Sequence, residues 1–300
     1  MLRIICFILI FTGGVVTLVS AVRYRKMIRF YQDESYYETT GSQTIQLLSQ
    51  LSLVFFLFGF VVGLVDVIRR DVEPIYLFIG FVFFIGGLYI DLMTRAQISM
   101  TTSLRKKTFE VLRAFINTIE LKDCYTKSHS LHVYQIVGLI YEALPQAMRR
   151  DINLPKLLDA SMLHDLGKLG ISDEIINKQT PLTPEEWVKI KTHPEIGAKL
   201  LSDTCFQEIS NWVLYHHERI DGKGYHGLNG EEIPLESRII AVADTYSAIT
   251  TGRVYREKIS HEEALSVLRD VKGTQLDKTL VEYFCTISKE TLEGLHTGLY

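Results

Sequence analysis

The chain of 300 residues is 47% hydrophobic and carries a formal net charge of −3. Because there is no overall basic field, duplex DNA and RNA are excluded as partners. Residues 4–22, 39–65 and 74–90 hold no charged side chain, which excludes a wholly soluble enzyme, and the charged remainder leaves too little apolar sequence for a polytopic transporter.

The N-terminal third is interpreted as a membrane region over residues 1–94. A spanning helix needs about 20 apolar residues. The uncharged runs predict three of them, at about 3–22, 46–68 and 75–93. We therefore expect the lipid bilayer to be a partner of this region.

Lysine and arginine set the expected orientation, because they accumulate on the cytoplasmic side of membrane proteins. Basic clusters follow the first run, at 23–29, and the third run, at 95–107, whereas the opposite side holds only Arg3, Arg69 and Arg70. The pattern predicts an outside N-terminus and a cytoplasmic C-terminal region. The rival interpretation is a signal peptide cleaved after Val19-Ser20-Ala21, which the basic cluster directly behind it disfavours.

Residues 95–121 are predicted to form a connecting helix. Their apolar side chains recur at helical spacing, from Leu104 through Val111 and Phe115 to Ile119. Two interpretations stay open. The helix pairs with a second copy of the chain, giving a homodimer, or it packs on its own domain.

The remaining residues, 122–300, are predicted to form an all-α domain. Helical spacing favours helices at about 130–144, 155–165, 184–202, 206–218, 236–251, 261–270 and 277–290. Thr183 and Ser260 are typical N-caps, since each precedes an acidic first turn. A glycine-rich stretch from His217 to Pro234 predicts a long loop.

Histidines are concentrated in one part of this domain, where seven of the nine lie between residues 129 and 226. His164 is followed directly by Asp165, His216 by His217, and Asp244 lies inside an apolar helical run. A buried carboxylate such as Asp244 costs several kcal/mol unless it is paired or bound to a cation.

Imidazole and carboxylate ligands without thiolate suit iron, manganese or zinc. The four cysteines are scattered with no C-x-x-C pair, which argues against a zinc ribbon and against a disulfide framework. The histidines and aspartates suffice for two cations, and a pair of cations about 3.5–4 Å apart is an established device for hydrolysing phosphate esters.

Two motifs that occur in a fixed order along the chain resemble those of a known family. The sequence HDLGK at 164–168, followed by HHERIDGKGY at 216–225, resembles the HD-GYP family, a subgroup of the HD-domain phosphohydrolases. Flanking motifs are similar too: YTKSHS at 125–130, HPEIG at 193–197, AVAD at 241–244 and GTQLD at 273–277. The match runs from about 105 to 288, and the ordered set is far more specific than an HD pair alone.

The resemblance implies an HD-type all-helical fold and a cyclic di-GMP phosphodiesterase whose products are pGpG, GMP or both. The family's metal ligands, carried over position by position, are His129, His164, Asp165, His193, His216, His217 and Asp244. Asp165 would bridge two divalent cations, with iron or manganese expected, and a hydroxide between them would attack phosphorus. Members with three metals use a glutamate where this chain has Tyr125, so a two-metal site is expected.

The same resemblance supplies the other site residues. Asp165 and Lys168 would be catalytic, with Lys168 stabilising charge on the phosphoryl oxygens. Substrate would be held by Lys168, Tyr225, Arg253 and Arg256. The expected whole is an enzyme of the bacterial inner membrane with its catalytic domain in the cytoplasm.

Several positions depart from the family pattern. His226 stands where the signature has proline, which would loosen the substrate-side loop or add a nitrogen near the site, the loop effect being favoured. Ser128, His132, Ser247 and Val254 replace a usual glycine, arginine, aspartate and proline. They leave two rival functions open, namely hydrolysis of another cyclic dinucleotide or nucleotide, and a receptor or scaffold that binds nucleotide without hydrolysis.

Overall fold

The computed structural model describes residues 1–31, 40–69, 73–122, 128–251 and 258–296. Within these ranges the chain is helical and holds no β-strand, only one isolated bridge between Lys272 and Leu276. The all-α prediction is therefore confirmed. The chain divides into two compact units, Met1–Phe109 and Glu110–Tyr300.

Three long helices form or enter the first unit. They are α1 (Leu2–Tyr31), α2 (Thr40–Arg69) and α3 (Ile75–Lys122). By length and composition, each contains a segment able to cross a membrane: Leu2–Arg25, Leu51–Arg69 and Ile75–Glu120.

Close packing joins these helices. Cys6 and Ile10 of α1 are buried together with Phe60 and Val67 of α2. A Cβ atom added to Gly87 of α3 would lie 2.8 Å from the carbonyl oxygen of Gly13, so only glycine permits that approach. Small residues at such crossings are typical of helices that pack in a bilayer.

A polar cluster also links α1 to α3. The Asp91 carboxylate of α3 accepts hydrogen bonds from Ser20 Oγ (2.8 Å), Arg23 Nη1 (3.1 Å) and Arg95 Nε (2.6 Å). Asp91 thus has cationic and hydroxyl partners from both helices, which satisfies a carboxylate next to an apolar run.

Helix α3 joins the third apolar run to the connecting segment without interruption over 48 residues. No glycine or proline follows Gly87 before the helix ends at Lys122, so no residue in that stretch breaks the helix. Beyond residue 109, Val111 and Phe115 stay exposed, whereas Ile116 and Ile119 are buried. One face of α3 therefore packs on its own unit and another does not.

The second unit is built from shorter helices. In chain order these are α4 (His129–Ala143), α5 (Gln146–Arg149), α6 (Leu154–Leu163), α7 (Asp173–Ile176), α8 (Pro184–Ile190), α9 (His193–Ser202), α10 (Ser210–Leu214), α11 (Leu235–Thr250), α12 (His261–Val271), α13 (Lys278–Phe284) and α14 (Lys289–Glu293). Helix α4 packs against α6, α11 and α13. Ile136, Leu157, Ile239, Leu280 and Phe284 are fully buried in this core.

The predicted helices near α4, α6, α11 and α12 agree with the structure to within about two residues, the usual uncertainty of helix ends. The predicted helix 184–202 is wrong, because the chain breaks it between Ile190 and His193. Pro194 has no N–H for the Ile190 carbonyl, and its ring would clash with that carbonyl in a continuous helix.

Two further predicted helices are also wrong in extent. Residues 206–218 hold a short 3-10 turn, Gln207–Ile209, and then the five-residue α10. Residues 277–290 split into α13 and α14, and Ser288 starts α14 as its N-cap by accepting a hydrogen bond from the Thr291 N–H.

Candidate metal centre

The structure brings the clustered histidines and Asp165 together at helix ends of the second unit. Two sets of ligand atoms form, and within each set all atoms lie within 4.8 Å of one another. The first, called here the HPH group, comprises Asp165, His193, His216 and His217. The second, called here the His129 group, comprises His129, His164 and Asp165. Asp165 belongs to both.

Three of these histidines are oriented in the same way. Each places ring Nδ1 against a backbone carbonyl three residues earlier: His164 on Ser161 (2.7 Å), His193 on Ile190 (2.8 Å) and His216 on Val213 (2.6 Å). Carbonyls in the last turn of a helix lack partners within that helix, so they accept from Nδ1–H. This assigns the ring proton to Nδ1 and leaves Nε2 as the ligand atom.

Pro194 contributes to this arrangement. A continuous helix would have used the Ile190 carbonyl as acceptor for residue 194, but proline has no N–H to donate. His193 Nδ1 takes that carbonyl instead, at 2.8 Å. The helix break that the sequence analysis missed is thus the feature that orients His193.

Gly167 allows the turn after His164 and Asp165 to touch the start of α9 backbone to backbone. A Cβ atom here would lie 1.8 Å from the His193 carbonyl oxygen and 2.5 Å from the Gly197 nitrogen. No side chain fits that space, so glycine is required at this position.

Asp165 lies between the two groups. Its Oδ1 is 3.3 Å from His193 Nε2, and its Oδ2 is 3.4 Å from His164 Nε2. In the described part of the chain, the buried Nε2 atoms of His164, His193 and His216 make no hydrogen bond. Buried nitrogens left in this state around a carboxylate fit a cation, because a bound ion satisfies them together.

Charge is distributed unevenly between the groups. Burial alone would lower the pKa of His164, but the Asp165 carboxylate outweighs it and raises this pKa to about 9. Burial would likewise raise the pKa of Asp165, yet Lys168 and His164 hold it well below its usual range.

The histidine pair of the HPH group behaves in the opposite way. Burial, with the neighbouring His217, lowers the pKa of His216 well below its usual value. Burial and His193 lower the pKa of His217 to about 4. Both rings are therefore neutral at pH 7, the form that binds metal.

His129 is held by contacts from other helices. Its Nε2 lies 3.1 Å from Asp244 Oδ1 of α11, which is also 4.0 Å from His164 Nε2. Its Nδ1 lies 2.9 Å from Ser247 Oγ, and His132 Nδ1 lies 2.9 Å from the same oxygen. The two departures at positions 132 and 247 thus meet behind His129.

The backbone at His129 is fixed by Glu120 of α3. Glu120 is 7% exposed, and its two carboxylate oxygens accept the N–H groups of Ser128 (2.7 Å) and Ser130 (2.8 Å). Ser128 has a φ of 65°, a left-handed conformation unusual for a residue with a side chain.

Lys168 and Tyr225 border the ligand groups. The Lys168 Nζ lies 2.7 Å from Asp165 Oδ2. The Tyr225 ring packs on His217 with centroids 4.9 Å apart, and the Lys191 Nζ lies 5.3 Å from the Tyr225 centroid. Burial raises the pKa of Tyr225, so its hydroxyl stays protonated.

Glu218 shapes the loop that carries Tyr225. Its buried carboxylate accepts the N–H groups of His226 (2.7 Å) and Leu228 (2.8 Å). Proline at position 226 has no such N–H to give. The replacement therefore adds a hydrogen bond to the loop, while the His226 ring lies against Tyr215 and stands 4.0 Å from Glu195 Oε1.

Some of the predicted site residues lie outside the described residues, namely Arg253 and Arg256, as do Tyr125 and Val254. The sequence analysis missed Glu120, Glu218 and Lys191, none of which it assigned to the site. For Glu218, its place directly after the histidine pair was a usable signal, whereas no motif or spacing pointed to Glu120 or Lys191.

Comparison with known proteins gives a family match over more than half of the chain. The HD domain family matches residues 116–280. A Vibrio cholerae protein named probable cyclic di-GMP phosphodiesterase is 35% identical over 189 residues, covering 58% of this chain and 43% of that protein. A Thermotoga maritima protein named cyclic di-GMP phosphodiesterase is 36% identical over 186 residues, covering 61% of this chain and 50% of that one.

A relative with a different named substrate is nearly as similar. A Vibrio cholerae protein named 3'3'-cGAMP-specific phosphodiesterase 3 is 33% identical over 181 residues, covering 60% of this chain and 38% of that protein. The chain spans half or less of the length of these curated relatives.

Proposed function

This chain belongs to the HD domain family and to its HD-GYP branch, and from that premise we propose that it is a membrane-anchored, metal-dependent phosphodiesterase that hydrolyses cyclic di-GMP to pGpG, GMP or both. The observation that carries the proposal is the pair of ligand groups that share Asp165. Two groups with one carboxylate in common suit two cations held close together.

The proposed ligands are His129, His164, Asp165, His193, His216, His217 and Asp244, and iron or manganese is the expected metal. When bound, two divalent cations supply Lewis acidity and lower the pKa of water. Asp165 holds its place between the groups through contacts with His164 and His193. Asp244 keeps His129 in reach of the second group.

Lys168 is proposed to act on the substrate phosphate. Its ammonium group lies 2.7 Å from Asp165 and is partly exposed at 19% of its side chain. A cation there attracts the phosphodiester and neutralises charge that develops on the phosphoryl oxygens. Tyr225 is proposed to hold a guanine or ribose with its ring and protonated hydroxyl, and Arg253 and Arg256 to bind phosphate.

The three apolar helices support an anchor in the bacterial inner membrane, with the HD domain in the cytoplasm as the lysine and arginine pattern predicts. The exposed side chains of Val111 and Phe115 on α3 support pairing with a second copy of the chain. Light scattering of the chain in detergent measures that state, and a monomeric mass would contradict the pairing.

A second substrate is favoured by one comparison. The relative named for 3'3'-cGAMP is 33% identical, against 35% and 36% for two named for cyclic di-GMP, so identity does not separate the substrates. The altered position 226 lies in the loop that carries Tyr225. Hydrolysis of 3'3'-cGAMP is therefore the alternative activity.

The test uses the full chain in lipid nanodiscs, prepared without oxygen and loaded with Mn²⁺ or Fe²⁺. Cyclic di-GMP and 3'3'-cGAMP are supplied separately, and pGpG, GMP and mixed products are followed by chromatography. A variant with His164→Ala and Asp165→Ala is the inactive control, and Asp151→Asn, at an exposed position, is the matched active control. We expect faster turnover of cyclic di-GMP, abolished in the double variant.

Three other outcomes are informative. Turnover of 3'3'-cGAMP alone would replace the substrate. Two bound cations with no turnover of either would contradict the cyclic dinucleotide assignment. Neither turnover nor bound metal would favour a nucleotide receptor.

A further inference from the structure

Among the described residues, the N-terminus of helix α4, which carries His129, is not capped by the side chain of its own N-cap residue. Ser128 occupies the N-cap position in a left-handed conformation and makes no side-chain hydrogen bond to the first turn. The cap comes from another helix instead. Glu120 of α3 accepts the Ser128 N–H with Oε2 at 2.7 Å and the Ser130 N–H with Oε1 at 2.8 Å.

This contact is strong enough to fix the backbone. Glu120 is buried, both of its oxygens are engaged, and hydrogen bonds to an ionised carboxylate are roughly twice as strong as neutral ones. A negative charge at a helix N-terminus is also favourable. The two amides lie on either side of His129, so the position of this ligand follows the position of Glu120.

The other side of the centre is also in contact with the end of α3. Lys122 donates from Nζ to the carbonyl oxygens of Leu169 (2.9 Å) and Ile171 (2.7 Å), directly after Lys168. The last turn of α3 therefore holds two segments of the site, and Glu120 accepts the backbone amides on either side of one ligand, His129. The HPH group histidines His193 and His216 depend on carbonyls of α8 and α10 instead.

We propose that Glu120 is a positioning residue for His129, through which the end of α3 sets cation binding in the His129 group and leaves the HPH group unaffected. The proposal rests on the metal centre of the proposed function. Because α3 is continuous from Ile75 to Lys122, a shift at its C-terminal end that displaces Glu120 acts on His129, which is a ligand of one group and not of the other.

The test measures metal binding, not turnover. The full chain is purified in detergent, stripped with chelator and titrated with Mn²⁺, and bound Mn²⁺ is counted by electron paramagnetic resonance. In the unchanged chain we expect two bound ions. In Glu120→Ala one ion should bind 10- to 100-fold more weakly, the range for loss of a residue that supports a ligand, while the other keeps its affinity.

Three variants sharpen the result. Glu120→Gln keeps one acceptor oxygen and places an amide donor against the second N–H, so it should weaken the same ion by a smaller factor. Glu110→Ala, at an exposed position of the same helix, should change nothing. Combining Glu120→Ala with His193→Ala should abolish tight binding of both ions, because each change acts on a different group.

Hydrogen exchange gives a readout that does not need metal. The amides of Ser128 and Ser130 should exchange faster in Glu120→Ala, with the melting temperature showing that the chain is still folded. Equal weakening of both ions, or two ions bound with unchanged affinity, would overturn the proposal. If the unchanged chain binds two ions but hydrolyses nothing, the proposed function fails while this inference stands.

Discussion

The HPH group and the His129 group share Asp165 but are supported in different ways. His193 and His216 are oriented by carbonyls three residues away in their own segments. His129 depends on Glu120 from α3 and on Asp244 and Ser247 from α11. His193 and His216 are therefore oriented locally, whereas His129 in the other group is held by distant parts of the chain and is open to control.

Substitution of Asp165, the residue that the two groups share, should have the largest effect. Asp165→Asn removes the charge common to both groups, so both cations should bind weakly and turnover should fall on the order of 10³-fold or more. Metal analysis and product chromatography measure the two effects. Asp151→Asn, at an exposed position, is the matched control. An Asp165→Asn variant that keeps one tight cation would contradict the sharing.

The two groups should also differ in the number of protons released when a cation binds. His164, with its pKa raised to about 9, carries a proton at pH 7 that a cation must displace. His217, with its pKa lowered to about 4, carries none. Affinity in the His129 group should therefore rise about tenfold per pH unit and level off near pH 9, while the neutral rings of His216 and His217 give no such dependence between pH 6 and 8.

Variants in which only one of the two groups can bind a cation make this difference in proton release measurable. His193→Ala disables the HPH group and His129→Ala disables the other, so each variant reports on the remaining cation. Calorimetry in buffers of different ionisation enthalpy should find about one more proton released in His193→Ala than in His129→Ala. Equal proton release in the two variants would mean that the charges are not divided in this way.

Ser247→Ala tests the ring contact of His129. Losing the hydroxyl removes its contact with the buried Nδ1 atoms of His129 and His132, so the His129-group cation should bind about tenfold more weakly, and stability should fall by about 1–2 kcal/mol. Ser237→Ala is the control, because Ser237 is also buried in α11 but donates to the Trp212 carbonyl, away from the ligands. It should lower the melting temperature similarly and leave metal affinity unchanged.

The smallest expected effect is at Ser128. Its φ of 65° costs about 1 kcal/mol for a residue with a side chain, so Ser128→Gly should raise the melting temperature slightly, the greater freedom of glycine in the unfolded chain offsetting part of the gain. Ser130→Gly, within the first turn of α4, should lower it by a similar amount. A shift of the same sign in both variants would contradict the strain at Ser128.

Sequence patterns predicted the helical fold because its signals are local. Apolar spacing and caps such as Ser260 indicate helices without any knowledge of their neighbours. The same reasoning predicted too long a helix at 184–202, because the apolar spacing continues across Pro194. Weighting proline as a helix breaker would have placed the break correctly.

The site likewise contains residues that sequence motifs predict and residues that only the three-dimensional contacts reveal. His164, Asp165, His193, His216 and His217 stand in ordered motifs, and the structure gathers them. Glu120 looks like an ordinary acidic residue in an amphipathic helix, and its role depends on which amides the fold brings to it. Likewise, the departures at His132 and Ser247 look like two unrelated changes in the sequence, although the His132 ring contacts the Ser247 hydroxyl, which also contacts His129.

The contact at Gly167 has a consequence for how the centre tolerates change. The distance from the His164-Asp165 turn to His193 is set by main chain against main chain, with no room for even a methyl group. Such a spacer does not depend on the size of any surrounding side chain. Apolar residues packed around the turn can be exchanged during evolution without altering the distance from this turn to His193, provided that position 167 stays glycine.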